Sequence, residues 1–171
     1  MKAERRRAAS GYVPLGGVII RKAIWDAFHD VPDDKPLMHG FTYSGHPVAC
    51  AVALANLDIL ERERLVPQVE ERGRYLAKRL DEPRDLPYVG EVRSLGLMAG
   101  VEIVADKVTK ARFPSTGLAR TAAVARNARG YGLVTRPLLD DILLLAPPFV
   151  ITEEEIDRAV FALRESILKI E

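Results

Sequence analysis

Strand-like segments are distributed very unevenly along this sequence, and their distribution limits what the chain can fold into. Only one, within residues 12–20, precedes residue 62, whereas "VGEVRSLGLMAGVEIV", "LVTRP" and "ILLLAPPFV" all follow it. The first of these three is predicted to be a single strand that bends near Gly96 and Gly100. A lone strand cannot form a buried sheet, because its edges need hydrogen-bonding neighbours. We therefore predict a piece of an α/β structure up to about residue 62, followed by a compact α+β unit with its own core.

The spacing of apolar residues predicts five helices. They span about 21–29, 46–63, 66–80, 117–130 and the segment after residue 152. Pro47 stands in the first turn of the second helix, where proline is tolerated. In "TEEE", Thr152 is expected to cap the last helix while Glu155 reaches back to it. The apolar stripe of this last helix, which should face the core, consists of Ile156, Val160, Leu163, Ile167 and Ile170.

Composition narrows the classes of function. The chain has 171 residues, 48% of them hydrophobic, which is enough for a core. Its 25 Lys and Arg residues nearly balance 24 Asp and Glu residues, so we expect no nucleic-acid binding and interpret the basic residues 4–7 as a solvated terminus. No apolar run approaches the ~20 residues of a membrane span. The single cysteine, Cys50, is expected to be a buried structural thiol of a cytoplasmic protein.

The segment "HGFTYSGHP" is a candidate anion site. Thr42, Ser44 and a glycine-rich backbone precede a predicted helix N-terminus, whose unpaired N–H groups and positive dipole suit a phosphate. A turn that caps the helix without any ligand explains the same residues. From these residues alone both interpretations stay open, and the sequence contains no HExxH, GxSxG or P-loop motif that would settle the chemistry.

Arg136 is a second candidate. It lies at the end of a short predicted strand, where its guanidinium could hold a substrate carboxylate through two hydrogen bonds. An ion pair with Asp140 or Asp141 in the adjacent turn is the alternative. The chain also contains three histidines, His29, His39 and His46. Their spacing is too irregular to propose a metal site, and polar-loop or capping roles are expected for them.

Three segments taken together suggest a family. "SGYVPLGG", "HGFTYSGHPVACAVALANLDIL" and "GLVTRPLLDDILLLAPPFVITEEEID" occur in an order and at separations that resemble the C-terminal part of a class III, or ω-type, pyridoxal-phosphate-dependent aminotransferase. The resemblance covers Ser10 to the C-terminus. It implies an α/β fold class, as a C-terminal fragment of a fold-type I pyridoxal-phosphate-dependent transferase. Residues 12–62 would be a remnant of the large cofactor-binding domain, residues 63–171 the small α+β domain, and residues 1–11 unrelated or disordered sequence.

The resemblance also implies roles for individual residues. In the family, the Thr of the FTYSGHP motif binds the cofactor phosphate across the dimer interface, which carries over to Thr42 with Phe41 beside it. The Arg of the RPL motif contacts the substrate carboxylate in many members, which carries over to Arg136. The family's Schiff-base lysine, in a motif resembling K-G-L-x-S-G-Y, falls on Arg6. A permanently protonated guanidinium is not an amine nucleophile, so we assign no catalytic residue.

These observations lead to one expected function and its alternatives. We expect a protein derived from an aminotransferase, which moves an amino group from a small-molecule amino acid or amine to a keto acid or aldehyde. The chain is expected to be truncated and unable to complete this reaction alone. Pyridoxal phosphate is the cofactor of the family, and binding by this chain alone is not expected. A homodimer or pairing with a full-length relative stays open, and the alternatives are a non-catalytic interaction module and a gene remnant without function.

Overall fold

The chain divides into two compact units. The computed structural model describes residues 3–6, 9–29, 40–114 and 119–170. One unit is Met1–Arg64 and the other is Leu65–Glu171, so the division lies two residues beyond the expected boundary at 62/63. Both units contain helices and strands. The mixed α/β class that the sequence predicts is confirmed.

The first unit contains a two-stranded antiparallel ladder. Strand β1, Ala3–Arg6, pairs with strand β2, Gly17–Ile20, in a register that places Ala3 opposite Ile20 and Arg6 opposite Gly17. Residues 3–6 thus form a strand where we expected a solvated terminus. The backbone of a basic segment can pair with a neighbouring strand as well as any other, because ladder hydrogen bonds do not involve the side chains.

The described part of the first unit also contains two helices. Helix α1, Lys22–His29, and helix α2, Pro47–Arg62, agree with the prediction to within one residue at each end. Residues 30–39, which include His39 and lie between these two helices, are outside the described residues. On α2 the small residues Ala49 and Ala53 are buried. Cys50, expected to be buried, is half-buried.

The second unit is a four-stranded antiparallel sheet with helices packed on it. Its helices are α3, Leu65–Arg79, α4, Asp81–Arg84, α5, Ala119–Gly130, and α6, Glu153–Ile167. Its strands are β3, Val89–Leu95, β4, Met98–Ile103, β5, Arg136–Leu138, and β6, Ile142–Leu145. The strand order is β3-β4-β6-β5, and all neighbours are antiparallel. A short 3₁₀ turn at residues 139–141 joins β5 to β6.

The prediction of a single bent strand at residues 89–104 was wrong, because this segment is a hairpin. Strands β3 and β4 pair with Leu95 opposite Met98, which leaves a two-residue turn. Gly96 occupies this turn with φ +55°, in the left-handed region that glycine tolerates better than other residues. The register between the two strands also shifts near Val89, where a bulge interrupts the pairing.

The core of the second unit lies between the sheet and helices α3, α5 and α6. All five residues of the predicted α6 stripe are buried, and Ile156, Val160 and Leu163 are fully inaccessible to solvent. The predicted capping box is present: the Glu155 N–H donates to Thr152 Oγ1 at 3.2 Å, and the Thr152 N–H donates to Glu155 Oε2 at 2.9 Å. The amphipathic pattern and the cap of α6 were therefore both readable from the sequence.

Membrane-spanning helices and metal-binding clusters are both absent from the described residues. Within the described ranges, no helix combines the length and the apolar character that crossing a membrane requires. The same residues contain no group of three or more His, Cys, Asp and Glu side chains placed to hold a metal ion.

Candidate functional site

The segment before α2 forms a turn that is closed by two reciprocal hydrogen bonds between Phe41 and Ser44. The Ser44 N–H donates to the Phe41 carbonyl oxygen at 2.9 Å. In return, the Phe41 N–H donates to Ser44 Oγ at 2.9 Å. Thr42 and Tyr43 are the two central residues of this β-turn, so they lie at its tip.

His46 connects this turn to the helix. Gly45 adopts φ +71°, and the His46 N–H donates to the Tyr43 carbonyl oxygen at 3.2 Å. The imidazole Nδ1 of His46 then accepts the N–H of Ala49 at 3.3 Å, which makes His46 the N-cap of α2. The capping role expected for one of the histidines is therefore found at His46.

The capping turn that the ligand-free interpretation expects is present, and its cap is His46. Because His46 caps the helix, Thr42 is not needed for that purpose. Within the part of the chain that the structure describes, no group is hydrogen-bonded to the Thr42 hydroxyl or to its N–H. Thr42 is exposed, and the flanking Phe41 and Tyr43 are 75% and 79% exposed. A hydroxyl and an N–H at an exposed turn beside a helix N-terminus are available to an anion.

Arg136 is the first residue of β5, not the last residue of a strand as expected. It pairs with Leu144 of β6 at the edge of the sheet, and its side chain is exposed. The preceding residue, Thr135, is buried, and its hydroxyl donates to the Leu144 carbonyl oxygen at 2.7 Å. Since Pro137 has no N–H to donate, this side-chain bond adds support to a strand with few backbone bonds.

The guanidinium of Arg136 makes no ion pair with any carboxylate that the structure describes. Asp141 is buried and does not pair with it. The side chain of Asp140 lies outside the described residues. Arg136 therefore stands on a fixed backbone with an exposed side chain, a suitable arrangement for holding a carboxylate through two hydrogen bonds.

A half-buried polar cluster joins α3 to α6 in the second unit. The carboxylate Oδ1 of Asp157 accepts the Tyr75 hydroxyl at 2.8 Å and Arg79 Nε at 2.6 Å. The hydrogen bond from Tyr75, followed by that from Arg79, lowers the pKa of Asp157. The same bond to Asp157 raises the pKa of Tyr75. These residues are more than 75 positions apart in sequence, and they fasten one helix to the other without any feature of a binding site.

The second unit also has a cleft of about 400 Å³ between the end of β6 and the start of α6. Its lining is largely apolar and includes Tyr131, Leu133 and Pro147. Arg136 does not line it. The cleft is therefore separate from the candidate carboxylate contact.

The family follows from comparison with known proteins. Residues 6–167 match the model of the aminotransferase class-III family. The chain belongs to the class III aminotransferases. This confirms the resemblance inferred from the three sequence segments, and members of this family depend on pyridoxal phosphate.

Curated relatives of known name are similar to this chain over only part of their length. The chain is 36% identical over 162 residues to adenosylmethionine-8-amino-7-oxononanoate aminotransferase of Anoxybacillus flavithermus, which covers 93% of this chain and 35% of that protein. It is 38% identical over 159 residues to putrescine–pyruvate aminotransferase of Pseudomonas aeruginosa, covering 92% of this chain and 34% of that protein. The chain thus spans about a third of the length of these relatives.

Solved structures agree. The adenosylmethionine-8-amino-7-oxononanoate aminotransferase of Methanocaldococcus jannaschii is similar with a TM-score of 0.89 and 32% identity, over 99% of this chain and 38% of that one. A thermostable (S)-enantioselective ω-transaminase from Thermomicrobium roseum is similar with a TM-score of 0.88 and 40% identity, over 98% of this chain and 37% of that one. Fold and family are therefore both established.

Sequence reasoning singled out Thr42 and Arg136 as candidates but did not predict the hydrogen bonds formed beside them. Ser44 was noted only as part of a polar motif, and Thr135 was not singled out. The available signals were a serine two residues after the candidate Thr42 and a threonine directly before the candidate Arg136. Such signals are weak, because serine and threonine hydroxyls bond to nearby backbone in many surface turns.

Proposed function

We propose that this chain supplies two contacts of an aminotransferase active site. Thr42 contacts the phosphate of pyridoxal phosphate bound by a neighbouring subunit of a homodimer, with Phe41 beside it. Arg136 holds the carboxylate of a substrate. The observation that supports this most is the Thr42 turn, in which the helix is capped by His46 and the Thr42 hydroxyl and N–H have no partner among the described residues.

The described residues suit only part of the cofactor. The Thr42 turn offers a hydroxyl, an N–H and a helix N-terminus, which are the donors that a phosphate accepts. When bound, pyridoxal phosphate supplies the electron sink of the reaction. The position expected to provide the amine for its aldehyde is Arg6, the last residue of β1. We propose that the 171-residue chain on its own does not complete an amino transfer.

The two units correspond in this proposal to two parts of the family fold. Residues 12–62 represent the end of the large cofactor-binding domain, and residues 63–171 the small domain. The single cysteine, which rules out an intrachain disulfide, supports a cytoplasmic location. The relatives' names concern different substrates, so the proposal extends to the class only: an amino acid or amine as donor and a keto acid or aldehyde as acceptor.

An activity assay tests the catalytic part of the proposal. The purified chain is incubated with pyridoxal phosphate, pyruvate and either putrescine or an amino acid donor, and alanine formation is measured. We expect no alanine above the level of pyridoxal phosphate without protein. The Arg6→Lys variant serves as the matched comparison. Amino transfer by the unsubstituted chain would contradict the proposal.

A binding assay tests the phosphate contact. Pyridoxine 5′-phosphate carries the phosphate but not the aldehyde, so it does not react with surface lysines. Its phosphorus NMR signal is expected to broaden in the presence of the chain and to broaden less with the Thr42→Val variant, which removes the hydroxyl but keeps the side-chain volume. Equal broadening by both proteins would show that Thr42 does not hold the phosphate.

One observation supports a second candidate, a non-catalytic interaction module. The first unit exposes large apolar side chains, among them Tyr12 at 82%, Ile19 at 67% and Leu54 at 64%. Exposed apolar surface of this kind favours association. Size-exclusion chromatography with light scattering, repeated over a range of concentrations, tests this candidate. A monomer at every concentration, with no association with a full-length class III aminotransferase, would rule it out.

A further inference from the structure

We propose that Ser44 is a positioning residue of the phosphate contact, and this inference rests on the proposed role of Thr42. The Ser44 hydroxyl oxygen accepts the Phe41 N–H at 2.9 Å, while the Ser44 N–H donates to the Phe41 carbonyl oxygen at 2.9 Å. Two hydrogen bonds therefore join the same two residues. Between them lie Thr42 and Tyr43, whose backbone direction is fixed by this double closure.

Burial does not hold the turn. Every residue from 40 to 48 is exposed. The glycines on either side contribute no side chain, and a Cβ built on Gly40 or Gly45 would meet no atom within 4 Å. An exposed turn bounded by two glycines is mobile unless local hydrogen bonds restrain it, because glycine has the greatest backbone freedom. The Ser44 hydroxyl supplies such a restraint, because its hydrogen bond closes the turn that contains Thr42.

The loss of this restraint should affect binding more than stability. In Ser44→Ala the Phe41 N–H loses its acceptor but can bond to water, since the turn is exposed, so no buried polar group is left without a partner. The free turn would sample more conformations, and an anion would have to order Thr42 when it binds. Ser44→Thr keeps the γ-oxygen and should preserve the closure. Positioning thus predicts weaker anion binding with an unchanged melting temperature, whereas a purely structural role predicts the reverse.

Amide NMR of the full chain with inorganic phosphate as the probe tests the proposal. In the unsubstituted chain, phosphate should shift the amide signals of Thr42 and Tyr43, and their titration gives a dissociation constant. Thr42→Val and Ser44→Ala should each bind phosphate about two- to tenfold more weakly, the effect of one hydrogen bond. Ser44→Thr should bind like the unsubstituted chain. Thermal unfolding by circular dichroism should be the same for all four proteins.

The outcomes separate this inference from the proposed function. If Thr42→Val weakens binding and Ser44→Ala does not, the positioning role is wrong while the phosphate contact stands. If phosphate shifts no amide of the turn in the unsubstituted chain, the phosphate contact fails and the inference fails with it. The positioning role is also overturned if Ser44→Thr binds as weakly as Ser44→Ala, or if Ser44→Ala lowers the melting temperature as well.

Discussion

The two units differ in what they bury. In residues 65–171, large side chains such as Leu80, Ile103 and Leu143 are fully buried between the sheet and its helices. In residues 1–64, the buried hydrophobic side chains among the described residues are three alanines, Ala9, Ala49 and Ala53. Strand and helix patterns occur in both units, but among the described residues only those of the second unit form opposing layers that bury large apolar side chains.

This difference determines how each candidate site is held in place. Arg136 belongs to a sheet whose opposite strand is packed in the core, and the buried Thr135 bonds across to that strand. Thr42 lies in the unit with little burial, so its orientation depends on the hydrogen bonds of its own turn. A site on a packed sheet tolerates the loss of a local bond better than a site on an exposed turn.

The largest expected effect concerns the core. Leu163→Ala removes a fully buried side chain from α6 and should lower the free energy of unfolding of the second unit by about 2–5 kcal/mol. Leu54→Ala, at a 64% exposed position on α2, should change stability by no more than about 0.5 kcal/mol. Urea unfolding and hydrogen exchange resolved by residue measure both. Losses of equal size would mean that the first unit has a core of its own.

Two glycines, one in each unit, allow the tightness of packing in the two units to be compared. Gly73 on α3 lies against the turn between β3 and β4, where a Cβ would come within 2.6 Å of the Gly96 backbone. Gly73→Ala should destabilise the second unit by about 1–3 kcal/mol, because backbone atoms cannot move aside as a flexible side chain can. A Cβ added at Gly17 of β2 would meet no atom within 4 Å, so Gly17→Ala should hardly change stability. Thermal unfolding of the two variants is the measurement, and an unaffected Gly73→Ala would contradict this packing.

Removal of the helix cap should also cost more stability in the second unit than in the first. Thr152→Ala removes the reciprocal capping box of α6 and should cost about 1 kcal/mol, whereas Thr152→Ser should retain stability. His46→Ala removes a single bond of 3.3 Å and should affect only α2. Urea unfolding gives the cost of the first change, and amide exchange along α2 shows the second. A larger loss for His46→Ala would reverse the comparison.

The smallest effect is a pH dependence confined to the second unit. Hydrogen bonds from Tyr75 and Arg79 hold the pKa of Asp157 below its ordinary 3.8, so the unfolded chain binds the proton more readily. The stability that Asp157 contributes is therefore complete above about pH 4 and is lost as pH falls through the lowered pKa. Asp157→Asn should melt at a lower temperature than the unsubstituted chain at pH 7, with a difference that shrinks towards pH 3.

At alkaline pH the same cluster should make stability fall as pH rises, the opposite of the dependence caused by Asp157. The bond to Asp157 raises the pKa of Tyr75 above its ordinary 10.0, so its contribution is complete below pH 10 and is lost as pH rises further. Tyr75→Phe should remove this alkaline dependence. Glu70→Gln, which removes an exposed ion pair with Arg74, is the control and should change melting little at any pH. Equal pH profiles for Asp157→Asn and Glu70→Gln would contradict the assignment to Asp157.

Local patterns in the sequence were sufficient for much of the fold. The boundaries of α1, α2 and α3 follow from apolar spacing and from Pro47, and the cap and buried stripe of α6 follow from "TEEE" and the residues after it. These features depend on residues three or four positions apart, which periodicity records directly. The family itself was recognisable from three short motifs, because each has a distinct order of residues.

Tertiary structure alone decided the features that depend on distant partners. Pairing of residues 3–6 with β2, and the hairpin at Gly96, required knowing which strands lie side by side. Only the folded chain shows that His46, not Thr42, caps α2 and that no described carboxylate pairs with Arg136. The sequence by itself therefore determined the helices, their buried faces and the family. Strand partners and the availability of each polar side chain arise from contacts between distant residues, which local patterns do not record.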